Sequence, residues 1–319
     1  MTTPGAPREI APGITLVDTG YVRPGVAAAY VVRGARSAAI VETATSLCAP
    51  RILDALAAAG VAPGDVSHVV VTHVHLDHAG GAGALVRALP RAKLVVHPRG
   101  ARHMIDPAKL VAGTMEVYGE AAFHRLYGEI VPVPADRVIE APDGFELDLG
   151  GRPLRALDAP GHARHHFVLH DPASRGFFTG DSFGLSYRET DSPAGPFMFP
   201  TTTPVQFDPP ALHATVDRML AEKPERMYLT HFGMVSGDLP GLAAALHRCI
   251  DGHVRRALAA PSGPGRHEAL RAGLEAELYE ELERQRSTTP RAEALRVFAE
   301  DLDLNAQGLG VWLDAQARS

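Results

Sequence analysis

Cysteine is almost missing from this chain of 319 residues: Cys48 and Cys249 are the only two, far apart and outside any Cys-x-x-Cys. That excludes a disulfide scaffold and a cysteine-built zinc module, and it fits a reducing compartment. No apolar run approaches the length of a membrane span. The opening Met1–Arg8 has no signal-type hydrophobic region, so a cytoplasmic location without membrane association is expected. Positive charge is not in excess either. Lys+Arg number 31 against 37 Asp+Glu, a net charge of −6 with histidine neutral, so no nucleic-acid partner is expected. Aromatics make up only 6%, but the 45% hydrophobic content can build a core and excludes global disorder. What the chain does have in quantity is histidine, 16 in all.

Short apolar runs at 14–17, 28–32 and 37–41 read as strands with Gly and Pro between them. A helix is expected over 50–59, closed by Gly60, followed by a strand at 68–72, a helix at 83–89 and a strand at 93–97. Strands alternating with helices imply an α/β layered architecture. Residues 98–128 read as interrupted helix carrying Met104, Met115, Tyr118, Phe123 and Tyr127. Further strands are expected near 138–139, 145–149, 154–157, 167–170, 176–179 and 227–230, with a helix at 211–220. The Pro-, Thr- and aromatic-rich stretch 182–210 reads as a long loop, and such loops inside compact domains tend to be functional. From Leu239 onward apolar residues recur at helical spacing only. The expected division is therefore a catalytic domain over 1–238 and a helical C-terminal extension over 239–319 that packs or dimerises.

The chemistry concentrates in Thr72-His73-Val-His75-Leu-Asp77-His78-Ala-Gly80-Gly81, directly after an apolar strand. Three imidazoles and a carboxylate within six residues make a ligand-dense loop suited to zinc, iron or manganese. A lone histidine at a strand end is usually a hydrogen-bonded structural residue, but four such groups crowded together call for a cation. His162, Asp181 and His231 each follow another expected strand, and loops at strand ends converge on one edge of an α/β sheet.

The motifs THVHLDHAGG (72–81), APGH (159–162), TGDS (179–182) and LTHFG (229–233) closely resemble those of the metallo-β-lactamase superfamily, over roughly residues 10–238. The resemblance implies an αββα four-layer sandwich with a two-metal site at one edge. It implies His73, His75 and His162 as ligands of one metal, Asp77, His78 and His231 as ligands of the other, and Asp181 as the bridge. Two positions depart from the family pattern. Glu42-Thr43-Ala44 stands where Asp-Thr-Gly is common, and His165 replaces the second Gly of the Gly-His-x-x-Gly-His of glyoxalase-II-like members. His166 then matches the second histidine of that run and reads as a supporting residue.

A pair of divalent ions, zinc above all, can share a hydroxide and bring the pKa of water towards neutrality, which supplies a nucleophile without serine or cysteine. The Gly-x-Ser-x-Gly run Gly180-Asp181-Ser182-Phe183-Gly184 falls inside the TGDS motif and leads into the expected long loop rather than a helix, so it does not read as a nucleophile elbow. The reaction expected is hydrolysis of a small thioester, ester or lactone, with Asp77 and Asp181 orienting the nucleophile and Asp77 passing a proton towards the leaving group. The apolar residues of 104–127 and Phe183, Tyr187, Phe197, Met198 and Phe199 either wall a substrate pocket or pack under long loops. Arg164, Arg188 and His165 read as surface groups near the ligand loops. Three other readings share the motifs: a phosphodiesterase or nuclease, which the acidic balance disfavours; a mononuclear iron persulfide-type dioxygenase, which would not need the second ligand set; and a slow metal-containing sensor.

Overall fold

The computed structural model describes residues 4–202 and 205–318. Its first sheet runs β1 (Arg8–Ala11), β2 (Ile14–Asp18), β3 (Ala28–Arg33), β4 (Ala38–Val41), β5 (Val66–Val70), β6 (Lys93–Val96) and β7 (Val138–Glu140), in that spatial order. The pairs from β1 to β4 are antiparallel and need only short turns. Those from β4 to β7 are parallel, and each parallel step requires a crossover. Helix α1 (Ala49–Ala58) supplies the first crossover. Helices α2 (Leu76–Ala79) and α3 (Ala82–Ala88) supply the second, and α4 (Pro98–Ile105), α5 (Ala108–Tyr118) and α6 (Glu120–Tyr127) the third.

The second sheet runs β13 (Gly233–Ser236), β12 (Arg226–Leu229), β11 (Gly176–Gly180), β10 (Phe167–Asp171), β9 (Pro153–Asp158) and β8 (Glu146–Asp148). Its pairs from β8 to β11 are antiparallel; β11 and β12 are parallel, with α7 (Pro209–Ala221) between them in the chain. This is the expected α/β fold with two sheets and helices, and with α8 (Leu239–Ala259), α9 (Arg266–Arg284) and α10 (Arg291–Gln316) at the C-terminal end. The spacing did not foresee β1, β13 or the short α2. Each is four residues long and carries too little pattern to stand out.

Why β3 reads as an unbroken apolar run is clear from its two faces. Ala29 and Val31 join the core that packs Ile52, Leu56, Leu85 and Val86 of α1 and α3 against the first sheet. Tyr30 and Val32 point the other way, into the core shared with Leu154, Phe167, Phe178 and Tyr228 of the second sheet. A strand buried on both faces has no polar side to alternate with.

The described residues divide into two compact units. The first holds β1–β12 and α1–α6; the second holds α7–α10 and the stretch from Asp181 to the start of α7. In the second unit the long loop is ordered by polar side chains of the C-terminal helices and their linker. Gln285 Oε1 accepts from Met198 N at 2.8 Å, Asn305 Oδ1 accepts from Thr202 N at 2.6 Å, and Ser287 Oγ donates to Thr190 O at 2.8 Å. These side chains satisfy backbone groups that no strand would pair. Residues 203 and 204 of that loop lie outside the described residues.

Arg152, just ahead of β9, ties the two sheets together. Its guanidinium meets both carboxylate oxygens of the fully buried Asp171, at 3.3 and 2.5 Å, and donates to the carbonyls of Pro12 and Arg33 at 2.9 and 3.0 Å. Removing one partner of such a pair strands the other charge in the interior. Asp171→Ala is therefore expected to cost about 3–5 kcal/mol of folding stability, read from the midpoint shift in urea denaturation.

Candidate metal centre

Each cluster residue is placed by the end of a strand. His73 to His78 follow β5, His162 follows β9, Asp181 follows β11 immediately, and His231 follows β12. Two glycines allow this. Gly180 has φ +50°, and a Cβ there would lie 2.4 Å from Thr72 Oγ1 and 2.5 Å from His166 Nε2. Gly161 has φ +128°, and a Cβ there would lie 2.4 Å from the backbone of Leu212 at the start of α7. Both positions need a residue without a side chain, one directly before Asp181 and one directly before His162.

The seven residues singled out from the sequence fall into two groups. One ligand atom from each of His73, His75, His162 and Asp181 lies within 4.8 Å of the others, and the same holds for Asp77, His78 and His231. In the first group His73 Nε2 is 2.9 Å from His75 Nδ1, and His162 Nε2 is 3.4 Å from Asp181 Oδ2. In the second, Asp77 Oδ2 lies 3.5 Å from His78 Nε2 and 3.3 Å from His231 Nε2, and those two nitrogens are 3.3 Å apart. The rings of His73 and His78 have centroids 4.0 Å apart, so the groups are neighbours. Asp181 sits with the first group.

What aims these nitrogens is the partner of the opposite ring atom. His78 Nδ1 donates to Glu42 Oε2 at 3.1 Å, and His231 Nδ1 donates to Val26 O at 2.8 Å. His162 Nδ1 faces Thr201 O at 3.5 Å, and His73 Nδ1 meets Thr72 Oγ1 at 3.1 Å. A carboxylate or a carbonyl can only accept, so the proton of a neutral His78 or His231 stays on Nδ1 and the Nε2 lone pair points inward. His75 turns the other way and offers Nδ1. Inward lone pairs together with two carboxylates suit a borderline divalent cation, so the residues fit the metal that the sequence implied.

Glu42, a departure from the family pattern, thus acquires a place. It is 1% exposed, adopts φ +66°, and its second oxygen accepts from Thr72 N at 3.1 Å. A non-glycine residue in the left-handed region is strained, and this one is held there between the ligand loop and His78. The sequence marks it only as a departure, because the partners that give it a role come from distant positions. His166, 1% exposed, stacks on His73 with centroids 4.8 Å apart, in line with a supporting role. His165 lies farther out, with its ring 6.2 Å from that of His73.

The aromatic residues separate into two sets. Phe197 and Phe199 pack on Phe298 of α10, and Tyr187 donates to Asp301 at 3.1 Å; with Phe183 and Met198 they are fully buried packing. Tyr118, Phe123 and Tyr127 instead join a small apolar cluster with Tyr21, Cys48 and Leu76, the neighbour of Asp77. Burial pushes the Tyr127 phenol well up, Tyr21 and Asp77 adding to the effect, so it stays protonated. No residue of α5 is fully buried, although Leu110, Val111, Met115 and Tyr118 lean on this cluster. Arg188 pairs with Asp191 at 3.1 Å, and Arg164 N donates to Gln206 at 2.7 Å.

The carboxylate behind His78 should be felt at the metal. Glu42→Gln is expected to weaken metal retention by about 10–100-fold, measured by competition with a chromogenic chelator, with the circular dichroism spectrum unchanged.

Comparison with known proteins adds to this geometry. The chain is 29% identical over 232 residues to a metallo-beta-lactamase fold-containing protein of Sulfurisphaera tokodaii, covering 70% of this chain and 80% of that one. The crystal structure of the archaeal superfamily protein ST1585 from Sulfolobus tokodaii superposes with a TM-score of 0.59 at 26% identity, over 86% of this chain and 98% of that one. A hydroxyacylglutathione hydrolase of Ruegeria pomeroyi is 32% identical over 117 residues, 37% of this chain and 34% of the relative. The acyl-coenzyme A thioesterase MBLAC2 of Gallus gallus is 26% identical over 189 residues, 55% of this chain and 65% of the relative. These last two are thus matched over less than two thirds of their own length. The sequence model of the metallo-beta-lactamase superfamily matches residues 22–231. The chain belongs to that superfamily.

Proposed function

We propose that this protein is a dinuclear metal-dependent hydrolase of small acyl thioesters, with esters and lactones as the wider substrate class. The observation that carries the reading is the pairing of two ligand groups side by side, with ring nitrogens aimed inward by fixed acceptors. His73, His75 and His162 would hold one divalent ion, Asp77, His78 and His231 the other, and Asp181 would serve both. Zinc is the first candidate, ahead of iron and manganese. Bound there, such a pair supplies Lewis acidity towards a carbonyl and an acidified water as nucleophile.

The chain's own groups supply the rest. Asp77, 25% exposed in its side chain, is the ligand carboxylate best placed to accept a proton from the attacking water and pass it to the departing thiolate or alkoxide. Asp181, 5% exposed, would hold the nucleophile in line. Glu42 and the Val26 carbonyl keep His78 and His231 in the required tautomer throughout. The half-covered face of α5, with Leu110, Val111, Met115 and Tyr118 resting on the buried cluster of Tyr21, Leu76, Phe123 and Tyr127, offers apolar surface for the acyl group. The thioesterase relatives support an acyl thioester as first choice.

Protein purified without added metal or chelator should contain two divalent ions per chain by plasma mass spectrometry. It should hydrolyse short acyl thioesters in a thiol-release assay. Asp77→Asn should lower kcat by at least about 100-fold, in the range lost when a general acid–base group is removed, even when excess metal in the assay restores two ions per chain. A single iron per chain with oxygen uptake, or no turnover across thioesters, esters and lactones with metal bound, would sink the proposal.

A further inference from the structure

A second histidine pair lies on the outer helices, away from the seven residues above. His213 and Asp217 are four apart on α7, and His247 and Asp251 are four apart on α8, so each helix presents a His and an Asp on one face. The two helices cross-pair them. His213 Nε2 meets Asp251 Oδ1 at 3.1 Å, and His247 Nε2 meets Asp217 Oδ1 at 3.1 Å. The remaining nitrogens, Nδ1 of each ring, face one another at 2.6 Å, with the rings 21° from parallel.

The tautomers follow from what each carboxylate can do. An ionised aspartate only accepts, so each Nε2 carries the proton and each neutral imidazole turns its Nδ1 lone pair towards the other. Two lone pairs at 2.6 Å repel unless a positive centre lies between them. We infer that these two nitrogens form a site for a divalent transition-metal cation of the zinc class, bridging α7 and α8. The arrangement is the carboxylate–histidine–metal relay, present twice and related by the crossing of the helices. Two aspartates match the charge of a divalent ion, whereas a shared proton would offset only half of it.

The side chains of His213 and His247 are 28% and 25% exposed, which leaves a path for the ion and room for water as further ligands. Tetrahedral zinc at its usual bond length sets two nitrogens about 3.3 Å apart. The pair must therefore open slightly, and partly exposed rings can do so by a small rotation. The position gives the ion a consequence. Leu212, the residue before His213, is the backbone packed against Gly161, which precedes His162. An ion that ties α7 to α8 would stiffen the helix behind that ligand loop.

The test uses the full-length protein with its seven-residue centre loaded and excess metal removed by desalting. Zinc titrated in by calorimetry should bind with one further equivalent and raise the melting temperature. His213→Gln and His247→Gln should each lose that equivalent and the thermal shift, while keeping the metal retained through desalting. Asp217→Asn should keep the stoichiometry and bind about 10–100-fold more weakly. If the wild type takes up no further equivalent, the pair shares a proton and the inference is overturned. Equal zinc uptake by the wild type and both glutamine variants would overturn it as well. Because the readout is the difference between the wild type and these variants, it stands whatever reaction the other centre performs.

Discussion

A neutral imidazole has a single lone pair, and the nitrogen that carries it is decided by the acceptor found by the other nitrogen. Much of this site follows from that constraint. The Glu42 carboxylate, the Val26 carbonyl and the Thr201 carbonyl come from loops separated widely in sequence, yet each sits behind a different histidine. Rigid strands make this possible. β3, β4, β5 and β12 are buried along most of their length, so the residues just beyond their ends have little freedom. The core is thereby linked to the chemistry: packing fixes the strand ends, these fix the acceptors, and the acceptors fix the lone pairs.

Much of this was legible in the sequence, for physical reasons. The histidine-rich loop at 73–78 is a local pattern, and His162, Asp181 and His231 each follow a strand whose apolar run is plain. The seven are collected by the four motifs that resemble those of the metallo-β-lactamase superfamily, each of which puts its polar residues just after an expected strand. Glu42 was not legible. Its role depends on the parallel pairing of β4 with β5, which brings residue 42 beside 72 and 78, and on a left-handed backbone that nothing in the sequence announces. The His213–His247 pair escaped for a similar reason: His-x-x-x-Asp is unremarkable on one helix and becomes a constellation only when two helices face each other.

The long loop after Asp181 was read by length and composition, which point to function. Of the two expectations for its aromatic residues, pocket wall or packing, the structure gives packing. Phe197 and Phe199 stack near Phe298, and the backbone between Thr190 and Thr202 is capped by Ser287, Gln285 and Asn305. A loop without strands must find partners for its amides elsewhere, and here they come from α10 and the link between α9 and α10, about a hundred positions later. The pairs Arg248–Glu281 and Arg256–Glu277, whose carboxylates are buried, set how α8 meets α9, and with it where those partners stand.

The helical extension is therefore part of how the chain beyond Asp181 is shaped. His162 shows the dependence most directly, since its Nδ1 faces the carbonyl of Thr201, and Thr202 is held by Asn305 of α10. Asn305 is fully buried, accepts from Thr202 N and donates to Pro200 O, so an apolar substitution would leave two backbone groups unsatisfied within three residues. A loss at that helix would travel one residue along the loop, to the carbonyl that faces His162 Nδ1. His162 and the C-terminal helices are distant in sequence and connected through a few hydrogen bonds. That is why a motif spanning 72 to 233 can depend for its geometry on residues that lie outside it.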